Sequence, residues 1–343
     1  MNPPLRVGVA GCGRIARLFH LAALAGIPEV KVAALAEPDA EALAQAKQQH
    51  PNARACRDYE ELIGLPELDA VVICLPSQLH AEAGAKAFAA GRHVYLEKPA
   101  ALDLPSALTL ESAWKSSGKV GMMGFNYRWH PLARSLRQQI RRQTVGTLVS
   151  GRSSFCSGAR ELPEWKQKRS SGGGVLLDLA SHHFDLLRFF TGAEIERVRA
   201  ATQSVRAEAD TAWVEAVTSS GLHTQSFFSL SSVDQHDWEF HGREGKLRWD
   251  RIYGFDLERE DLTAAYNRRQ RILRAVRQLS PRLLKPYAER SFENSLRAFV
   301  SACLAGEATA PSIADGIMSL RCVLAAERSS QTGEWVNPAL LTD

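Results

Sequence analysis

Asp178, His182 and Asp185 stand at i, i+4 and i+7 in the run Val175–Thr191, V-L-L-D-L-A-S-H-H-F-D-L-L-R-F-F-T. On a helix this spacing puts all three on one face, and three polar groups on one face of so apolar a segment need a task. A metal site would take Asp178 and His182 as two ligands, but the others must come from elsewhere and no Cys/His cluster is evident; no metal is expected. A buried, hydrogen-bonded structural histidine is the second task. Acid–base catalysis is the third, because imidazole has the right pKa and a carboxylate one turn away can orient and tune it. His183 points about 100° away on an ideal helix and is given no catalytic role.

A cation and a glycine turn complete the set. Lys98 lies in Glu97-Lys98-Pro99, directly after the apolar run His93–Leu96. It is either a surface lysine paired with Glu97 or a cation held rigidly before a proline and aimed at the nicotinamide end of a cofactor. Leu5–Ala10 is a short β-rich run. Gly11-Cys12-Gly13-Arg14-Ile15-Ala16 follows, and then Ile15, Leu18, Leu21 and Leu24 at helical spacing. This G-x-G-x-x-A, between strand and helix, is the dinucleotide fingerprint. Gly11 allows the tight turn, Gly13 a close approach to pyrophosphate, and Ala16 close packing of helix on strand. Glu37, 21 residues after Ala16 at the end of Val30–Ala36, is placed to accept from ribose hydroxyls. No arginine follows to meet a 2′-phosphate, so the expected cofactor is NAD in preference to NADP.

These groups need a scaffold. Helices are expected over Ala40–His50 and Ala81–Ala90, and strands at Leu68–Leu75, His93–Leu96 and Val120–Phe125. Leu68–Leu75 is nearly all apolar, as in a strand covered on both faces. Ligands of open parallel sheets bind beyond the strand carboxyl ends, which places Pro76–His80 and Glu97–Pro99 in the site. The reading is an α/β chain: an N-terminal Rossmann doubly wound parallel sheet, residues 1–123, and a C-terminal α+β domain, residues 124–343. The second half opens with Asn126–Pro131 and a helix, Leu132–Gln143. Thr147–Cys156, Ile195–Val205, Ala212–Ser219, His223–Ser231, Trp238–His241 and Lys246–Asp250, joined by short turns, predict a six-stranded, mainly antiparallel sheet with helices on one face. Phe292–Leu304 and Ile313–Ser330 read as helices returning to the body of the protein.

Gly-Cys-Gly-Arg-Ile-Ala, the Pro76…His80 segment and above all Glu97-Lys98-Pro99 resemble the glucose–fructose oxidoreductase / inositol 2-dehydrogenase / MocA family, over nearly the whole chain. The Gly172-Gly173-Gly174 loop with Asp178, His182 and Asp185 is similar to that family's G-G-G-x-x-x-D-x-G-x-H-x-x-D segment, with Ala180 in place of the usual glycine. The resemblance selects acid–base chemistry: His182 matches the catalytic histidine, Asp178 its partner aspartate and Lys98 the active-site lysine, while Asp185 takes a structural role. It implies an NAD(P)-dependent dehydrogenase or reductase moving hydride between nicotinamide and a secondary hydroxyl or ketone of a sugar, cyclitol or nucleotide sugar. Cofactor contacts are expected from Gly11, Gly13, Arg14, Ile15, Glu37, Pro76, His80, Glu97 and Lys98. Arg128, Trp165, Lys166, Lys168 and Arg169, near the glycine loop, are expected to meet the sugar or polyol substrate. It further implies a homodimer or homotetramer through the C-terminal sheet. Two other readings stand beside this one: an NAD-dependent glycoside hydrolase using transient oxidation, and a non-enzymatic NAD-binding regulator.

Composition sets outer limits. The 343 residues hold 45% hydrophobic and 23% charged side chains, an ordinary globular balance. The +4 net charge is too weak to imply nucleic acid. Six cysteines without a C-x-x-C pair, and an N-terminus without a leader pattern, fit a cytoplasmic address. The charge is uneven: residues 262–287 carry seven basic side chains and no acidic one. Ile272, Val276, Leu279 and Leu283 would line one face of a helix there. This basic amphipathic insertion would dock on its own domain or a partner subunit, or meet an anionic membrane or a lipid- or nucleotide-linked substrate.

Overall fold

The computed structural model describes residues 3–158, 163–252, 254, 257–262 and 290–342. The basic segment, Leu262 apart, lies outside the described residues.

The first half alternates strand and helix: β1 Leu5–Ala10, a π turn Ala16–His20 leading into α1 Leu21–Ala25, β2 Val30–Ala36, α2 Ala40–Gln49, β3 Arg54–Cys56, α3 Tyr59–Ile63, β4 Ala70–Ile73, α4 His80–Ala89, β5 His93–Leu96, α5 Leu104–Ser117 and β6 Gly121–Met123. Each start signal has a local cause. Asp39, Asp58 and Asp103 cap α2, α3 and α5, accepting from the backbone N–H three residues on. The strands form one parallel sheet in the order β3-β2-β1-β4-β5-β6. This is the doubly wound order whose reversal point, between β1 and β4, opens a crevice at the strand carboxyl ends.

The second half contains α6 Pro131–Arg141, β7 Leu148–Cys156, a π turn Leu176–Ala180 running into α7 Ser181–Thr191, then β8 Ile195–Gln203, β9 Thr211–Thr218, β10 His223–Ser229, β11 Gln235–Gly242, β12 Gly245–Asp250 and β13 Glu258–Asp261. Helices α8 Ser291–Ala305 and α9 Ile313–Thr332 follow. The sheet has seven strands among the described residues, in the order β13-β12-β11-β7-β10-β9-β8, one more than the apolar pattern predicts. The addition, β13, reads E-R-E-D and pairs along β12 at the edge; a strand with no apolar alternation gives no periodic signal. β7 and β10 run parallel, and the other pairs are antiparallel.

α7 and α9 cover one face: His183 bonds Ser153 of β7, and Ser329 Oγ accepts from the backbone N–H of Ala200 in β8. Trp238, Phe240, Trp249 and Phe190 fill the core between. The opposite face carries the Arg152–Glu239 ion pair and an exposed Trp213 packed on Phe227. α8 crosses back to the first sheet, where Leu296, Phe299, Val300 and Cys303 pack with Leu5, Val7, Val9 and Tyr95. Tyr95 Oη and Ser295 Oγ are 3.0 Å apart. No described helix is long and apolar enough to cross a membrane.

Candidate active site and cofactor crevice

Two glycines shape the crevice in different ways. Gly11 has φ +89°, and a Cβ on it would lie 2.6 Å from the Cys74 carbonyl oxygen at the end of β4, so only glycine lets the turn close there. A Cβ on Gly13 would meet nothing within 4 Å. That open space at the helix N-terminus is where a pyrophosphate fits. Arg14 and Ile15 are exposed beside it. Glu37 is held by the backbone: the N–H of Cys12 donates to Oε2 at 2.8 Å and that of Asp39 to Oε1 at 3.1 Å. A carboxylate has about four acceptor sites, so capacity for ribose hydroxyls remains. Pro76 precedes a 3-10 turn, Ser77–Leu79, at the end of β4. The residues present fit a dinucleotide.

Two residues expected to touch the cofactor have their side chains engaged by the chain itself. His80 is buried, with Nδ1 2.6 Å from the Pro99 carbonyl and Nε2 2.8 Å from that of Leu75, so it braces the segments after β4 and β5. Glu97 is bound to His20 Nε2 at 2.7 Å, and its other oxygen accepts from the Lys98 backbone N–H. Burial pushes the Glu97 carboxyl up, but His20 and the nearby cations outweigh it and hold it below the usual range. His20 is the residue that motif reading misses, since it falls on the buried side of a helix read only for its leucines.

The Lys98 ammonium turns away from the Glu97 carboxylate. Nζ donates to Asp178 Oδ1 at 2.7 Å and to the Asp178 carbonyl at 2.8 Å. Lys166 Nζ donates to Asp178 Oδ2 at 2.9 Å. Asp178 therefore serves two lysines, and the expected Asp178–His182 pairing is replaced by a Lys98–Asp178–Lys166 triad. Burial would raise the Asp178 carboxyl, but Lys166 and Lys98 drive it far below the usual range, so it stays ionised. The glycine loop makes this possible: a Cβ on Gly173 would lie 2.3 Å from the Lys166 carbonyl oxygen. Glycine there lets the loop bearing Lys166 lie against the start of the π turn.

His182 is 7% exposed and its Nδ1 is buried without a hydrogen-bond partner among the described residues. Its ring centroid is 4.8 Å from that of Tyr127. Burial first, then the Lys98 charge, push its pKa well below the usual value, and Asp178 opposes this only in part. His182 is thus a neutral imidazole beside an ammonium group. Behind it lies a layer the sequence did not announce. His183 Nδ1 is 2.8 Å from Ser153 Oγ, and His236 stacks on Phe155 at 4.1 Å. Arg251 Nε donates to His236 Nδ1 at 2.7 Å. That bond makes Nδ1 the acceptor and puts the His236 proton on Nε2.

This layer predicts acid lability. Burial holds His183 at about 3, against 6.5 for a free histidine, and lowers His182 and His236 in the same direction. A group with a depressed folded-state pKa binds protons more readily when unfolded. Its contribution is complete above pH 6.5 and lost as pH falls toward 3, at about 1.4 kcal/mol per pH unit for each histidine kept neutral. Thermal melts at pH 7, 6 and 5 should show a steadily falling midpoint; a midpoint unchanged down to pH 5 would contradict it.

The proposed substrate contacts divide. Lys166 is on the triad. Lys168 is exposed on the same loop. The side chain of Trp165 lies outside the described residues. Arg169 bonds Glu327 of α9 and the Leu102 carbonyl, tying the loop to the body. Arg128 is buried and forks onto Asp185, with Nε 2.8 Å from Oδ2 and Nη2 2.6 Å from Oδ1, and also reaches Asp315. Asp185 thus has its structural partner, and Arg128 is a cross-brace between the 3-10 turn Asn126–Trp129, α7 and α9.

Residues 5–125 match the GFO_IDH_MocA model, an oxidoreductase family with an NAD-binding Rossmann fold, and residues 133–248 match the GFO/IDH/MocA C-terminal domain. The chain belongs to the GFO/IDH/MocA oxidoreductase family. One relative in that family is dTDP-3,4-didehydro-2,6-dideoxy-alpha-D-glucose 3-reductase of Actinomadura kijaniata, 29% identical over 306 residues and 89% of each chain. Another is myo-inositol 2-dehydrogenase of Thermotoga maritima, 30% identical over 194 residues and 57% of each chain. Among solved structures, a 3-ketoreductase from Actinomadura kijaniata in complex with NADP and TDP-benzene superposes with a TM-score of 0.79 at 25% identity, covering 95% of this chain and 98% of that one. Levoglucosan dehydrogenase in complex with NADH shares the fold, with a TM-score of 0.85 at 21% identity over 97% and 99% of the two chains.

Proposed function

We propose that this oxidoreductase moves hydride reversibly between a nicotinamide cofactor and a secondary hydroxyl or ketone of a sugar, cyclitol or nucleotide sugar. The observation that carries the reading is the Lys98–Asp178 ion pair at the end of β5, beside a neutral, nearly buried His182. When bound, the nicotinamide supplies the hydride acceptor or donor; the chain supplies position, charge and proton traffic. A lysine has three N–H donors, and Asp178 takes two from Lys98, leaving one for the oxygen of the reacting carbon. There the ammonium charge stabilises the developing alkoxide. His182, neutral at pH 7, takes the hydroxyl proton in the oxidising direction and returns it in the reducing one. Asp178 positions Lys98 rather than His182.

The test is a screen of sugars, cyclitols and nucleotide sugars with NAD and with NADP, and of keto-sugars with the reduced forms. Cofactor absorbance is expected to change in step with product. Product without net cofactor change would instead support a hydrolase using transient oxidation, and absence of turnover across all classes would support a regulator.

The cofactor preference proposed is NAD. Glu37, fixed by two backbone N–H groups, would set its charge against a 2′-phosphate. Glu37→Ser is expected to lower the NAD-over-NADP ratio of kcat/KM by about tenfold or more, the size of removing one charged contact; an unchanged ratio would remove Glu37 from the selection. A homo-oligomer through the open face of the second sheet is also proposed, supported by the exposed Trp213 beside Phe227.

A further inference from the structure

At the far end of α7 from His182 the molecule has a second recess, of about 320 Å³, walled by Arg128, Arg134, Arg137 and Arg188 with Trp129 and Phe189. It runs into a shallower groove of about 710 Å³ that shares Arg134, Arg137 and Phe189 and continues past Arg141 and Arg142. Glu194 and Asp315 are the acidic side chains lining the two, so among the described residues six arginines face two carboxylates.

The arginines are of two kinds. Arg128 and Arg188 are neutralised, bound to Asp185, Asp315 and Glu194. Arg134 and Arg137 have no carboxylate partner among the described residues. Their guanidinium carbons lie 5.1 Å from the Trp129 ring and 4.3 Å from the Phe189 ring. A guanidinium laid on an aromatic face is held in orientation through its π surface, while its N–H fork stays free in the plane. Spaced i, i+3 on α6, the two stand on one side of the helix. Burial, and then the charges of Arg141, Arg128 and Arg134, disfavour the charged form of Arg137. A dianion in the recess would relieve that repulsion.

We propose that this recess binds a phosphate dianion, as inorganic phosphate or the phosphomonoester of a soluble metabolite. Two pre-oriented, unpaired forks match the oxygens of a phosphate. The recess has the volume of a small-molecule site rather than a flat docking face. From His182 to Arg188 is six residues, about 9 Å along the helix axis, so the site is separate from the hydride-transfer centre and does not depend on that reading.

The test uses the whole protein saturated with NAD, which fills the crevice at Gly13. Inorganic phosphate and glycerol 3-phosphate are titrated calorimetrically at constant ionic strength. One saturable site per chain is expected, with affinity reduced tenfold or more in the double variant Arg134→Gln/Arg137→Gln and unchanged in Arg57→Gln, at an exposed arginine of the first half. In the unmutated protein, phosphate should also slow phenylglyoxal modification of Arg134 and Arg137, read by mass spectrometry, but not that of Arg57; this arm stands even if the double variant misfolds. Heats that follow ionic strength alone, equal binding by a folded double variant, or no protection would overturn the proposal. Binding to phosphatidic acid vesicles without binding of either soluble ligand would overturn it in favour of a lipid surface.

Discussion

Lys98→Met is expected to cut turnover roughly 100- to 1000-fold while leaving NADH binding nearly intact. The magnitude is that of removing one preorganised donor from a developing oxyanion, about 2.7–4 kcal/mol of transition-state stabilisation. The split follows from the geometry. Lys98 is 15% exposed and anchored by two bonds to Asp178, so its remaining N–H is held in place before substrate arrives. Methionine fills a similar volume without charge. Asp178 keeps Lys166 as an ionic partner, so it is not left as an isolated buried charge and the fold should tolerate the change. The check is steady-state turnover beside fluorescence titration with NADH. Turnover within tenfold of the unaltered protein, or turnover and NADH binding lost together, would remove Lys98 from the chemical step.

Arg128→Met should leave an enzyme whose main defect is stability, with about 3–5 kcal/mol lost in urea denaturation. Breaking a buried ion pair strands the surviving charge. Here that charge is Asp185, 1% exposed and gripped at both oxygens. Burial already pushes the Asp185 carboxyl up despite the guanidinium beside it, so without Arg128 it would take up a proton or draw in water. The double variant Arg128→Met/Asp185→Leu removes both charges and should recover much of the loss. A loss below about 1 kcal/mol, or a rise in KM without destabilisation, would return Arg128 to the substrate contacts expected from its position in the sequence.

Local signals were the ones that could be read in advance. The Rossmann half is written in short-range terms: glycine turn after strand, aspartate before helix, apolar run between turns. The places of β1, β2, β4 and β5 along the chain follow from these. The chemistry-bearing residues were also legible as types, since Lys98, Asp178 and His182 stand out from apolar surroundings. Their pairing was not. Asp178 and His182 are four residues apart and invite a bond, but Asp178 pairs instead with Lys98, 80 residues away in the other half, and with Lys166, 12 residues back on the glycine loop. Nothing in helical spacing weighs a nearby imidazole against a distant ammonium, and the ammonium wins because it is charged. Arg128 misled for a related reason: beside Asn126 and Tyr127 it reads as a loop cation, and only the packing of α7 and α9 brings Asp185 and Asp315 to it. β13 stayed hidden because an edge strand with both faces wet needs no apolar residues.

The return of α8 to the first sheet has a consequence for the order in which the protein can be made. Leu5, Val7, Val9 and Tyr95 leave the ribosome early, but the side chains that close their face, Leu296, Phe299 and Val300, are just over 200 residues behind Tyr95. At about 5–20 residues per second, the nascent nucleotide-binding half spends at least about 10 seconds with that face uncovered. Through that interval it is a natural client for whatever shields apolar surface during synthesis.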